Sequence, residues 1–308
     1  MELEQDHIRS AEESELREID IFFNMSKKLY ADAVVQSSEL YDIAATFTND
    51  FKLITSEALL KDSRIIKILR YCIIPSLSQM KLGQIIGLGT VNQFESQKIV
   101  NNNMLDLLSK HVDRLAGLFN DNLDHQRFLW LNVELNQQQI DLARDYARKW
   151  TCSLISDQNS STAFRNWRKD LQEAEVMKCI VEGGYTQINK QKIIISTTDL
   201  LPGQFSRECR VQGRTIQKAD FAIRLKKSKK LLLIEAKAIG VRIDAFKRMK
   251  ECREKADDWK SHFGDNIIAG AIIAGFIPAN QVESLLNNNL KVFWEHHLEF
   301  LQKFIEEN

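Results

Sequence analysis

Apolar residues in the first half of the chain recur at the spacing of an amphipathic helix. Between Ile8 and about Trp150 they return every three or four positions, which places them on one face of each helical turn. Pro75 and the glycines between positions 83 and 89 interrupt this pattern. Because proline and glycine punctuate helices, we predict an all-helical first half in which short helices are joined by tight turns.

The pattern changes after residue 150. A predicted helix at 162–182 ends at the pair Gly183-Gly184, where glycine accepts the left-handed conformation. Short β-compatible segments bounded by turn residues follow at 185–188, 192–196, 205–211, 219–225 and 231–237. Next come a helix whose predicted apolar face begins with Ile243 and Phe246, an apolar strand from Ile267, a short strand at 291–294 and a C-terminal helix.

This order of elements predicts an α/β fold, with a mixed sheet flanked by helices and an all-helical N-terminal half before it. The expected domains are a helical domain at residues 1–155 and an α/β domain at residues 156–308. A chain of 308 residues is long enough to bury a substantial core, and one elaborated domain is the alternative to two.

Composition excludes several classes of protein. With 44% hydrophobic and 27% charged residues, the chain is neither disordered nor fibrous. The five cysteines lack the spacing of zinc ligands and are predicted to be buried thiols in a reducing compartment. The acidic N-terminus has no secretory signal, and no apolar run reaches the roughly 18 residues that a membrane span requires. A cytoplasmic protein without a membrane segment is expected.

Charge is unevenly distributed although the formal net charge is zero. Residues 214–260 contain fifteen Lys and Arg against seven Asp and Glu, whereas residues 1–20 contain eight acidic and two basic residues. A local positive surplus of this kind indicates a phosphate-binding surface. The alternative is an ordinary solvated hairpin built from the lysines of 226–230.

Two carboxylates and a lysine form the candidate catalytic group. In the segment LLLIEAK, strand alternation puts Glu235 and Lys237 on one face. Asp220 lies in the preceding strand, and antiparallel pairing across the 226–230 hairpin can bring it beside Glu235. With the backbone carbonyl of Ala236, these carboxylates offer the hard oxygen ligands that Mg²⁺ prefers. The arrangement predicts Mg²⁺-dependent cleavage of a phosphodiester, and the alternative is a simple salt bridge.

Further residues are candidates for supporting roles. Glu175, on the helix before the sheet, could orient the metal, although Glu173 or Glu182 could do so instead. The basic residues predicted to contact DNA lie on the helix after the catalytic strand and are Arg242, Lys247, Arg248, Lys250 and Arg253. His296 and His297 lack other ligands at metal spacing in the sequence and are interpreted as structural.

At these residues the chain resembles the PD-(D/E)XK nuclease superfamily, with Ala219 where that superfamily often has proline. The resemblance to XamI-type type II restriction endonucleases is longer. It includes DIFFNMSKKLYADAV, IIGLGTV, LLPGQFS, the LLIEAK strand, FGDN and FWEHHLEFL, and it spans roughly residues 19–300.

This resemblance implies a homodimeric enzyme that cuts a short palindromic site in double-stranded DNA with Mg²⁺ and leaves 5′-phosphate ends. It also implies a companion methyltransferase that protects the host DNA. The helical domain is expected to contact DNA, to form the dimer, or both. The alternatives are a structure-specific repair or recombination nuclease and a non-catalytic DNA-binding protein.

Overall fold

The computed structural model describes residues 2–96, 102–189 and 193–308. The chain forms two compact units, one of Met1–Met25 with Phe164–Asn308 and one of Ser26–Ala163. Two 46-residue helices, α1 (Glu2–Phe47) and α8 (Gln137–Glu182), each contribute residues to both units. No helix of the described ranges is both long and apolar enough to cross a membrane.

The unit of residues 26–163 is helical, as its three- and four-residue spacing predicts. Besides parts of α1 and α8 it contains α2 (Ser56–Lys61), α3 (Ile65–Cys72), α4 (Gln79–Ile86), α5 (Asn92–Ser96), α6 (Asn102–Ser109) and α7 (Val112–Asp121). Their apolar faces meet in one core that includes Phe51, Leu69 and Phe119. Helix α4 ends at Gly87, which has a φ of 87° and forms one of the predicted tight turns.

The other unit is built on a six-stranded mixed sheet whose spatial order follows the chain. The strands are β1 (Thr186–Gln187), β2 (Gln204–Val211), β3 (Gln217–Arg224), β4 (Leu231–Ile239), β5 (Ile267–Gly275) and β6 (Lys291–Trp294). Strands β2, β3 and β4 pair antiparallel, whereas β1 is parallel to β2, and β5 is parallel to both β4 and β6. The predicted α/β class with a mixed sheet is confirmed.

Helices cover both faces of this sheet. On one face, α8 and α11 (Glu299–Glu307) pack Val176, Ile180 and Ile305 against strand residues such as Phe221 and Ile234. On the other, α9 (Arg242–Phe263) and α10 (Ala279–Asn287) form two further apolar clusters with the odd-numbered residues of β4. The five cysteines of the chain are buried and form no disulfide, as predicted.

Two details of the sequence-based prediction are wrong. Ile243 and Phe246 are 86% and 61% exposed, because the buried stripe of α9 begins at Ala245 and continues through Met249. The predicted strand 192–196 is reduced to an isolated bridge between Ile194 and Val211, and its first residue lies outside the described residues.

Candidate active site

The β3–β4 pair brings Asp220 and Glu235 together, as predicted from the hairpin. Phe221 pairs with Ile234 in the antiparallel register, and Asp220 and Glu235 stand one position further along the same ladder. The backbone N–H of Ala236 donates to Asp220 Oδ2 at 2.7 Å. This hydrogen bond fixes the Asp220 carboxylate beside β4.

Glu235 is the buried centre of the group, with 2% of its surface exposed. Lys237 Nζ donates to its Oε1, and Lys255 Nζ, from α9, donates to its Oε2 at 2.7 Å. Lys255 also donates to the backbone carbonyl of Lys218 at 2.8 Å, which anchors it to β3. Both oxygens of the buried carboxylate therefore have a cationic partner, as its removal from water requires.

The electrostatics of the site are those of two carboxylates held close together. Burial, and then the negative charge of Glu235, raise the pKa of Asp220, while the Ala236 N–H opposes the shift. Burial disfavours charge on Lys237, but attraction to Glu235 outweighs it and the pKa of Lys237 lies above its usual value. Burial and Glu235 raise the pKa of Cys252 to about 12, so this nearby thiol is neutral at physiological pH.

The carboxylate oxygens of Asp220 and Glu235 are suitable ligands for a hard divalent cation. Asp220 Oδ1 accepts no hydrogen bond from the described residues, while Oδ2 is oriented by Ala236. Burial first, and then repulsion from Glu235, raise the pKa of Asp220, and a divalent ion would offset both effects. With the nearby Cys252 thiol neutral, carboxylate oxygens are the available ligands, and they are the type that suits Mg²⁺.

Lys255 is the member of the group that sequence reasoning missed. Its position is not marked by any motif, because it depends on how α9 packs against β4. One signal was present: Lys255 lies three residues after Cys252 and four before Trp259, both of which belong to the buried stripe. A lysine at the edge of such a stripe can reach the adjoining sheet.

Glu175 is not joined to the three predicted catalytic residues by any hydrogen bond or ion pair of the described chain. It is half-buried on α8, which packs on the sheet face opposite α9, whereas Glu235 points toward α9. Of the alternatives, Glu173 is buried and paired with Arg207 of β2 at 2.8 Å. The metal-orienting role of Glu175 stays a prediction.

The five basic residues predicted to contact DNA all lie on α9 but differ in surroundings. Arg242 pairs with Glu15, Arg248 with Glu251, and Lys250 with Glu254, while Arg253 donates to Ser284 of α10. Lys247 is exposed and makes no ion pair with the described residues.

Helix geometry sorts these residues relative to the carboxylates. Arg248 precedes Lys255 by seven residues, two helical turns, and therefore shares its face beside β3. Arg253 points to the opposite edge of α9, toward α10. Arg248 is thus the member of the set that lies on the same face of α9 as Lys255.

Comparison with known proteins gives a consistent family assignment. One relative is the type II restriction enzyme SalI of Streptomyces albus G, which is 24% identical over 295 residues, covering 91% of each chain. A solved structure, protein VC1899 of Vibrio cholerae, aligns with 92% of this chain at 11% identity and a TM-score of 0.29. The chain spans 56% of that protein's length, and a similarity this low does not establish a shared fold.

The XamI restriction endonuclease family matches residues 49–294, which include most of the helical unit, the whole sheet and the candidate catalytic residues. A match of this extent, well over half of the sequence, cannot come from the short aspartate and Glu-x-Lys motif alone. The chain belongs to the XamI restriction endonuclease family.

Proposed function

We propose that this protein is a Mg²⁺-dependent type II restriction endonuclease that hydrolyses phosphodiester bonds at a specific site in double-stranded DNA. The observation that carries the proposal is the convergence of Asp220, Glu235 and Lys237 beside a basic helix. Family membership supports cleavage of DNA, and the type II relative SalI supports the class.

Asp220, Glu235 and the carbonyl of Ala236 would hold the metal ion. When bound, Mg²⁺ polarises the scissile phosphate and lowers the pKa of a water ligand. The Ala236 N–H keeps the Asp220 carboxylate in position, and the ammonium groups of Lys237 and Lys255 compensate the charge of the buried Glu235.

Lys237 is the residue suited to act on the reacting atoms. Its raised pKa keeps the ammonium protonated, so it can hold the attacking water or stabilise charge on the pentavalent phosphorus. Water adds its hydroxyl group to phosphorus, the bond from phosphorus to the 3′-oxygen breaks, and the released proton reaches the 3′-oxygen directly or through solvent. The products are a 5′-phosphate and a 3′-hydroxyl.

The wider assembly follows from the same proposal. A homodimer reads a palindromic duplex most simply, because both have two-fold symmetry. Arg248 and Lys247 are the first candidates for phosphate contacts on α9, with Arg242, Lys250 and Arg253 as further candidates. A methyltransferase acting on the same site would protect cytoplasmic host DNA without binding this protein.

Plasmid digestion tests the proposal directly. With Mg²⁺ we expect discrete fragments bearing 5′-phosphates, and with EDTA none. Asp220→Asn and Lys237→Ala should each lower the cleavage rate on the order of 100-fold or more, because each removes a group that acts in the transition state. Asp257→Asn, an exposed carboxylate on α9, is the matched control and should cleave normally.

DNA binding separates a chemical defect from a folding defect. In Ca²⁺ the Asp220→Asn and Lys237→Ala variants should shift duplex DNA in a gel as the wild type does. Full cleavage by either variant would overturn the assignment of the site. Cleavage confined to branched DNA in a substrate panel would contradict site-specific restriction and indicate a structure-specific nuclease.

A further inference from the structure

A second cluster of metal-ligating side chains lies outside the carboxylate site. Strand β6 ends at Trp294 and is followed by a short turn that contains His296 and His297. Glu13 of α1 faces both rings, and its Oε2 lies 3.8 Å from His296 Nε2 and 3.3 Å from His297 Nε2. Among the described residues this is the group whose imidazole and carboxylate atoms lie within 4.8 Å of one another.

His296 has one ring nitrogen, Nε2, that lacks a hydrogen-bond partner within the described part of the chain. Its side chain is only 9% exposed, and its buried Nε2 forms no hydrogen bond with the described residues. At 3.8 Å the Glu13 oxygen is too distant to accept a hydrogen bond. A buried nitrogen of this kind normally has a partner, and a cation placed between it and Glu13 would supply one.

His297 is already oriented as a metal ligand. Its Nδ1 lies 2.8 Å from Glu299 Oε1 at the start of α11, which leaves Nε2 directed at Glu13. Metal-binding histidines commonly donate their second ring nitrogen to a carboxylate in this way, because the bond fixes the tautomer and the ring plane. Arg9 holds the other oxygen of Glu13, Oε1, at 2.9 Å and so presents Oε2 to the rings.

The spacing of the three atoms fits one small ion. Zinc binds imidazole nitrogen and carboxylate oxygen at about 2.0 Å, so two ligand atoms of a tetrahedral site lie about 3.3 Å apart. The observed 3.3 and 3.8 Å separations need only side-chain adjustment to reach that geometry. Two imidazoles and one carboxylate select zinc and similar borderline metals rather than Mg²⁺.

We propose that Glu13, His296 and His297 bind one zinc-type divalent cation and that Glu299 positions His297 for this role. The bound cation links α1 to the turn after β6. This site would be structural and separate from the Asp220 and Glu235 carboxylates. It does not depend on the proposed nuclease activity.

Zinc binding by the full chain tests the proposal. To remove any contribution of the other carboxylates, zinc chloride is titrated into metal-free Asp220→Asn/Glu235→Gln protein in a calorimeter. We expect one zinc per chain, a rise in the thermal unfolding temperature, and the visible bands of a tetrahedral complex when cobalt replaces zinc. His296→Gln/His297→Gln in the same background should lose all three signals, and His125→Gln, an exposed histidine of the other unit, should lose none.

Glu299→Gln is a second, milder variant. If Glu299 orients His297, zinc affinity should fall by about 10- to 100-fold while one site per chain remains. Circular dichroism of each metal-free variant checks that it is folded. Absence of zinc binding in the folded parent protein, or zinc binding unchanged by loss of both histidines, would overturn the proposal and leave a simple histidine–glutamate pair.

Discussion

At Asp220 the proposed metal binding and the stability of the metal-free protein make opposite demands. Its pKa is raised by burial and by Glu235, so the folded protein binds this proton more tightly than the unfolded chain does. The metal-free protein should therefore lose stability as the pH rises from the usual aspartate range through the raised folded-state pKa. We expect Asp220→Asn in EDTA to be more stable than the wild type at neutral pH, with the difference vanishing at acid pH.

Urea denaturation across a pH series measures this effect. The asparagine side chain can still accept the Ala236 N–H, so the hydrogen bond that holds the position is retained. Asp257→Asn controls for a general effect of removing one negative charge. A lower stability of Asp220→Asn at neutral pH would show that the carboxylate is satisfied without a metal.

Lys255 competes with any cation for Glu235. Lys237 and Lys255 each donate to one oxygen of Glu235, so both ammonium groups repel a divalent cation and share the carboxylate charge with it. We expect Lys255→Met to lower the Mg²⁺ concentration needed for half-maximal plasmid cleavage, since one competitor is gone. Lys303→Met, at an exposed site on α11, should leave the Mg²⁺ dependence unchanged. An unaltered Mg²⁺ requirement in Lys255→Met would contradict this competition.

At the scale of single residues, the sequence could place Asp220, Glu235 and Lys237 together because strand alternation and hairpin pairing are local rules. It could not place Lys255, since that contact depends on the packing of α9. It also could not predict the approach of Glu13 to His297, because 284 positions separate the two residues.

A buried ion-pair cluster joins three elements of the sheet-containing unit. Arg168 of α8 binds Glu18 of α1 at 2.8 Å and Glu295 after β6 at 2.9 and 3.1 Å, and all three side chains are at most 5% exposed. Burial raises the pKa of Glu18 even though Arg168 attracts its charge. Burial therefore disfavours the charged form of Glu18 in the folded protein, and this carboxylate should contribute least to the stability of the cluster.

Substitutions in this cluster should have unequal effects on folding. Arg168→Met leaves two buried carboxylates without a cation and should lower the free energy of unfolding by about 3–5 kcal/mol. Glu18→Gln keeps the Arg168–Glu295 pair intact and should cost much less. Thermal and urea unfolding of both variants compares them, and equal losses would contradict the assigned hierarchy.

At the scale of helices and strands, elements with a regular apolar periodicity were predictable from the sequence, whereas departures from that periodicity were not. The helical first half, the short strands and the apolar β5 follow from periodicity, which reports burial on one face or on two. Helix α8 extends far beyond the predicted 162–182 segment. The sequence pattern did not reveal its full length, because its 46 residues belong partly to one unit and partly to the other and face different surroundings. Ile243 and Phe246 have the spacing of an apolar helix face but are exposed. Helix α9 begins at Arg242, and its buried face begins at Ala245.

The whole molecule concentrates positive charge in the part of the chain that also supplies the carboxylates. Fifteen basic against seven acidic residues between positions 214 and 260 favour phosphate binding there, although the protein is neutral overall. The sequence cannot specify which base edges are read, because that depends on side chains and DNA deformation within a complex.

The proposed homodimer makes a prediction that a single catalytic variant can test. Each subunit has one carboxylate site, so a dimer with one active and one Asp220→Asn subunit should cut one strand per binding event. Co-expression with two affinity tags isolates such mixed dimers, and supercoiled plasmid reports the products. We expect nicked circles to accumulate from mixed dimers, while wild-type dimers give linear DNA in one encounter. If mixed dimers instead give linear product at half the wild-type rate, one active subunit cuts both strands, and the assignment of one strand to each subunit is wrong.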